Sequence, residues 1–205
     1  MTYLRCSIIT ILLASLAIGQ TAQGETKSPV APSNLQVPEG NTLYLVGHAT
    51  GTQNYICLPS ASGFTWTFFA PQATLFQNAQ PGDGDTRRQI ATHFLSPNPF
   101  ESGKPRATWQ SSFDTSAVWG KAMASSSDSH FVAAGAIPWL LLQAVGAQQG
   151  PVEGTILTRT RFIQRLNTSG GVAPTTGCSE SANIGSTALV PYTADYFFYG
   201  AGKKD

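Results

Sequence analysis

Phe64-Thr65-Trp66-Thr67-Phe68 alternates large apolar side chains with threonine. That period of two puts the rings on one face and the hydroxyls on the other, which marks a half-buried β-strand. The flanking chain repeats the theme. Leu43-Tyr44-Leu45-Val46-Gly47-His48-Ala49 is bulky enough for a buried strand, and Asn54-Tyr55-Ile56-Cys57-Leu58 follows across a Gly51-Thr52-Gln53 turn. Ala73-Thr74-Leu75-Phe76, Gln89 to Phe94, Ala107 to Ser111 and Ala117 to Ala124 are further strand candidates. Residues 96–106 hold three prolines and Gly103 and are expected to form a loop, as are the small polar residues 125–136. Ile137-Pro138-Trp139-Leu140-Leu141-Leu142-Gln143-Ala144-Val145 fits a strand or a short helix, because an unbroken apolar run has no diagnostic period. Thr155 to Leu166 alternates β-branched, apolar and basic residues, and Tyr192 to Tyr199 is aromatic strand material. About eight to ten short strands at this spacing predict a mostly β domain. An antiparallel β-sandwich or barrel-like single domain is expected, with long loops and at most short helices.

Composition narrows the function classes. The 205 residues are 41% hydrophobic and only 11% charged, with a formal net charge of +1. Nucleic-acid binding is disfavoured, because phosphate contacts need clustered Lys and Arg. An acidic disordered chain is excluded by the apolar fraction. Residues 1–24 have the parts of a secretory signal peptide: a start with Arg5, an apolar run from Ser7 to Gly19, then small polar residues. A membrane anchor is the alternative, but a run of about 13 residues is short of the roughly 20 that a span needs. Export places the chain outside the cell, or in the periplasm or at the surface if the host is bacterial, with no stable membrane anchor. Residues 25–38 form a proline-rich extended lead expected to lie on the surface or be disordered, residues 39–200 the β domain, and residues 201–205 a polar tail. Without residues 1–24 the chain has no formal net charge. Its polarity then rests on hydroxyls and amides, and a neutral glycan or cell-wall component is a plausible partner.

Cys57 and Cys178 remain once Cys6 leaves with the leader. In an oxidising compartment an isolated pair reads as one disulfide, here closing a loop of roughly 120 residues. Two buried thiols are the alternative.

No dinucleotide fingerprint, phosphate loop, zinc-protease helix or nucleophile elbow occurs. His48 and His93 lie on candidate strands that a sheet could bring together as metal ligands, with Asp114 completing the set, although hydrogen-bonded structural histidines are the simpler reading. No cofactor other than such a metal ion is suggested. Gly82-Asp83-Gly84-Asp85 resembles part of a calcium loop, yet lacks the later acidic ligands. Arg159, Arg161 and Arg165 share one face of an ideal strand, where they could bind an anion or protect a sheet edge. Trp66, Trp109, Trp119 and Trp139 could stack on sugars, but fit better as core. Asn167-Thr168-Ser169 is a glycosylation sequon in an expected loop.

Several of these residues recur in one order: Tyr55-Ile56-Cys57, Trp66-Thr67-Phe68, His93-Phe94, Thr108-Trp109-Gln110, Ile137-Pro138-Trp139-Leu140-Leu141, then Gln164-Arg165-Leu166-Asn167-Thr168-Ser169-Gly170-Gly171 and Cys178. This order resembles the domain-of-unknown-function (DUF) 3455 family over roughly residues 35–200. The resemblance implies a secreted protein of fungi or bacteria and supplies no established activity. Members often carry a compact His-Phe-x-Gly-Pro-x-Trp block followed by Asp-Gly-Ser. Here a proline-rich insertion parts His93 from Trp109, and Asp114-Thr115-Ser116 replaces Asp-Gly-Ser. Some fungal members bear a malate dehydrogenase label, which the absent nucleotide fingerprint, the β pattern and the leader all oppose. The expectation is an extracellular or cell-wall binding module, with His93, Trp109, Asp114 and Arg165 as binding residues. The rival is a secreted metalloprotein or enzyme using His48, His93 and Asp114.

Overall fold

The structure is a computed structural model that describes residues 28–78 and 87–202. The expected leader (1–24), the Gln80–Asp85 turn with its calcium-like spacing, and the last three residues of the tail lie outside the described residues. Eight strands run β1 (Asn41–Ser60), β2 (Gly63–Gln77), β3 (Arg88–Asn98), β4 (Lys104–Ser111), β5 (Ala117–Ser126), β6 (Trp139–Gln148), β7 (Thr160–Gly170) and β8 (Thr187–Ala201). Each pairs antiparallel with the next, and β8 returns to pair with β1, so the sheet is a closed barrel and not a sandwich. The helices are three-residue 3-10 turns.

The strands are longer than expected, for two physical reasons. Gly51-Thr52-Gln53 is not a turn: it lies inside β1, paired with Ala73, Gln72 and Pro71. A Cβ on Gly51 would run into the Gln72 carbonyl and Ala73, so the glycine is there for close approach of β2. Residues 96–106 are mostly strand as well. Pro97 and Pro105 face each other beyond His93, the last β3 residue with a partner on β2, where a missing N–H is tolerated.

The run Trp139 to Leu142 is β6, and it lacks alternation because both faces of this wall are covered. Leu140 and Leu142 point inward with Trp109, Ile163 and Phe198. Trp139 and Leu141 join an outer cluster with Leu166, Phe197 and Tyr199, closed over by Ala31, Leu35 and Val132. The described part of the lead therefore departs from expectation: Leu35 is fully buried against the barrel. Gln164 Nε2 donates to the Leu35 carbonyl at 2.7 Å, and Asn34 Nδ2 donates to the Ser125 carbonyl at 2.9 Å.

The barrel's two ends differ. At the end carrying the β2–β3, β4–β5 and β6–β7 connections, the interior is filled by Leu75, Ile90, Val118, Leu157 and Phe198, all essentially buried. Asp114 and Ser116 anchor this plug. The carboxylate accepts from Ile156 N–H at 2.8 Å and from the Ser116 hydroxyl at 2.7 Å, and Leu157 N–H donates to Ser116 Oγ at 3.0 Å. Burial alone would raise the Asp114 pKa, but the bonds from Ile156, Ser116 and Ser111 outweigh it and hold it at about 2. At the other end the β7–β8 connection lies against the rim. Tyr55 Oη donates to the Gly171 carbonyl at 2.6 Å and Trp66 Nε1 to the Thr176 carbonyl at 2.8 Å. The Cys57–Cys178 disulfide closes across 121 positions.

Two predictions follow from this architecture. In the denatured, unreduced chain neither Cys57 nor Cys178 reacts with a thiol reagent, and the double variant Cys57→Ala/Cys178→Ala loses about 2–5 kcal/mol of stability. Thr115 has φ 56°, a left-handed conformation that a β-branched residue adopts at a cost, and it occupies the place where the resemblance has glycine. Thr115→Gly should gain about 0.5–1 kcal/mol in chemical denaturation, the relieved strain exceeding the added chain entropy. A loss would show that the threonine side chain stabilises the turn.

Candidate functional site

At the rim with the β1–β2, β3–β4 and β5–β6 hairpins, small residues line a cavity of about 240 Å³: Ala107 and Gly120 within it and Ala122, exposed, at its mouth. Small residues on these strands leave room that the plugged end does not have. Gly120 also admits the Trp109 ring, since a Cβ there would lie 2.9 Å from the indole.

His93 and Trp109 form the cavity floor. They are direct cross-strand partners on β3 and β4, stacked at 4.3 Å between centroids and 8° between planes. The insertion that separates them in sequence only lengthens the β3–β4 hairpin beyond them. Tyr196 packs against both, at 5.1 Å and 5.4 Å. Arg165 enters from β7, held by a 2.8 Å bond from Nη2 to the Pro138 carbonyl. Gln53 enters from β1, and Phe68, Pro71, Leu95 and Pro105 form the apolar mouth.

The polar atoms of this cavity are unevenly satisfied. Among the described residues, Gln53 Nε2, Trp109 Nε1 and Arg165 Nε, like Trp139 Nε1 away from the cavity, are closed off from solvent without a well-formed hydrogen bond, and the Tyr192 and Tyr196 hydroxyls are the polar neighbours of Gln53 and Arg165. Gln53 is 3% exposed and Trp109 0%.

His93 is neutral. Burial is the main cause and pushes its pKa down to about 3; Arg165 acts in the same direction, and the bond to Thr108 opposes it. His93 Nδ1 lies 2.9 Å from the Thr108 carbonyl, which can only accept, so Nδ1 carries the proton and Nε2 the lone pair. Among the described residues no Asp or Glu lines the cavity, whereas Arg165, Lys121 and Arg106 do. Arg106 is neutralised by a two-pronged pair with Glu101, at 2.7 Å and 2.6 Å, which holds the Glu101 carboxyl down to about 2.

Three of the four expected binding residues, His93, Trp109 and Arg165, thus converge. Asp114 does not: it is the latch of the opposite end. His48 lies on the outer face of β1, its Nδ1 2.6 Å from Asp195 Oδ1, while His93 faces inward. His48, His93 and Asp114 therefore do not meet, and no group of three His, Cys, Asp or Glu suited to a metal ion occurs among the described residues. The three arginines do not share a face either. A register shift between Thr160 and Phe162 breaks the parity. Arg159 stacks on Tyr44 at 3.8 Å, Arg161 is exposed, and Arg165 alone reaches the cavity. Trp109, Trp119 and Trp139 are buried in separate places, so the tryptophans form no platform. Asn167 sits within β7, not in a loop, and donates to Asp195 at 2.8 Å. Gln53, Tyr196 and Lys121 escaped the sequence reading. Gln53 gave no signal, since it stands among Thr50, Gly51, Thr52 and Asn54, a polar stretch that reads as a turn.

The neutral histidine has a measurable consequence. Its folded pKa of about 3 lies below the ordinary 6.5, so the unfolded chain binds the proton first as pH falls. The stability present above pH 6.5 is lost progressively down to about 3. The group contributes a slope of up to about 1.4 kcal/mol per pH unit in that window. His93→Gln should flatten the acid side of the stability profile by that amount; parallel profiles for both chains would contradict a neutral His93.

The wider comparisons agree with the resemblance and add no activity. No match to the chain is found among curated proteins or among solved structures. The family model described as "Protein of unknown function (DUF3455)" matches residues 38–200, which takes in the barrel but for the last residue of β8 and includes His93, Trp109, Arg165 and both cysteines. The chain belongs to the DUF3455 family.

Proposed function

We propose that this chain is an exported binding module whose barrel holds one small molecule in the cavity above His93 and Trp109. The observation that carries this reading is the apolar-walled cavity of about 240 Å³ at the open end, into which Arg165 brings a positive charge with no Asp or Glu among the described residues that line it. Eight-stranded barrels are wide enough for one small ligand, and an apolar body with acceptor atoms suits this lining. The leader-like residues 1–24 and the disulfide support a role outside a reducing compartment. An extended neutral glycan suits the site less well, because the tryptophans that could stack on sugars are largely buried. Binding is preferred to catalysis on chemical grounds. A general base works best with a pKa near the operating pH, and His93 lies far below it. Among the described residues no carboxylate lines the cavity to act as an acid or a nucleophile.

The test is a fragment screen by amide and indole NMR at neutral pH. Fragments of about ten non-hydrogen atoms should shift the signals of Gln53, His93, Trp109 and Arg165 together. Ala122→Trp, at an exposed position of the mouth, should abolish those shifts while leaving the fold intact. A screen in which hits map elsewhere and ignore Ala122→Trp would sink the reading.

A further inference from the structure

We infer that the cavity is entered through the barrel wall, between β2 and β5, past a β3–β4 hairpin that a latch on β6 holds clear of the opening; this rests on the binding-module reading above and names the path its ligand takes. The ladders show where the wall parts. β2 pairs with β3 only as far as Ala73 and His93, and β4 pairs with β5 only as far as Ala107 and Gly120. Beyond those points residues 94–106 pair with no other strand among the described residues, only across their own hairpin and its base. The cavity lies at this gap. Phe68 and Pro71 border it on β2, Lys121 and Ala122 on β5, and Leu95 and Pro105 at the base of the hairpin. Phe68 is 48% and Leu95 37% exposed, and Pro105, Lys121 and Ala122 are exposed as well, so these side chains edge open space.

The hairpin leans outward, over β5 and onto β6. Val118 belongs to the interior cluster, so its neighbour Trp119 faces out. Trp119 Nε1 donates to Ser96 Oγ at 2.9 Å, and its ring packs edge-on against Phe100 at 6.1 Å. At the tip the fully buried Asn98 donates to the Val145 carbonyl at 3.2 Å and to Glu101 Oε2 at 2.8 Å. Gly146 makes the seat, since a Cβ there would lie 2.7 Å from both Asn98 Oδ1 and Phe100 Cδ2. Prolines keep the gap from zipping shut. Continuing the β2–β3 register would set Pro71 opposite Leu95 and Phe69 opposite Pro97, and continuing β4–β5 would set Pro105 opposite Ala122. Each proline lacks the N–H that a ladder needs. Bulges at Phe69 and Met123 bend the two free edges further from pairing.

The experiment is the reaction of iodoacetamide with one thiol on the cavity wall, Leu140→Cys, in a Cys6→Ser background where Cys57 and Cys178 are paired. Ala122→Trp at the opening should slow the reaction at least tenfold. Val172→Trp, on the β7–β8 connection at the barrel's end, should change it less than twofold. Gly146→Val should unseat the latch, so that hydrogen exchange of the 94–106 amides quickens at least tenfold. The freed hairpin would straighten along its own strands and lay Leu95 across the gap, slowing the thiol reaction at least threefold. Unchanged exchange in β8 shows that each variant keeps the barrel folded. If Ala122→Trp leaves the rate within twofold, or Val172→Trp slows it as much, the wall entrance is overturned. If Gly146→Val leaves hairpin exchange or the thiol rate unaltered, or quickens the thiol reaction, the latch is overturned. The thiol reaction needs no ligand, so its failure leaves the binding reading standing; that reading falls on the fragment screen alone.

Discussion

Closing eight strands on themselves fixes the interior width before any side chain is chosen. The lining residues then decide whether that width is filled or left open. In this chain the decision differs between the two ends. Leucine, isoleucine, valine and phenylalanine fill one, with Leu157 drawn inward by the Asp114–Ser116 latch. Alanine and glycine at 107, 120 and 122 leave the other open above His93 and Trp109. The site is a consequence of this asymmetry, and the polar groups around it have meaning because the space exists.

The outer face of the same wall explains a second feature. Strands β6 and β8 are apolar on both sides, because the lead segment and Val132 cover the outward residues. Burying Leu35 completes an outer core that a bare barrel would expose to water. The chain thus has two apolar cores separated by one sheet, with Tyr196 and Phe198 serving one and Phe197 and Tyr199 the other. The disulfide ties the long β7–β8 connection to the rim of the open end and helps to hold the mouth in shape.

Much of this was legible in the residues. The alternation at Phe64 to Phe68 and the strand-rich spacing gave the class, and the isolated cysteine pair gave the disulfide. His93, Trp109 and Arg165 were singled out, and they converge. What stayed hidden did so for physical reasons. Glycine and proline usually break strands, but Gly51 sits in one because two backbones touch, and Pro97 and Pro105 sit where no neighbour needs their N–H. Ideal parity grouped three arginines, and one irregularity near Arg161 scattered them. Asp114 looked like a ligand group because its type is reactive; its bonds to backbone N–H groups make it a structural anchor. Whether a barrel or a sandwich forms depends on β8 meeting β1, a contact between chain ends that no local pattern encodes.

Arg165 and the lack of carboxylates among the described residues that line the cavity belong together: an interior cation without an acidic partner suits an occupant with acceptor atoms and an apolar body. The most direct measurement is a high-resolution crystal structure of the chain purified from its own host. The account predicts density for a non-peptide group in the cavity, between the Arg165 side chain and the apolar residues of the mouth. A collapsed interior, with no space left beside Arg165, Ala107 and Gly120, would contradict it.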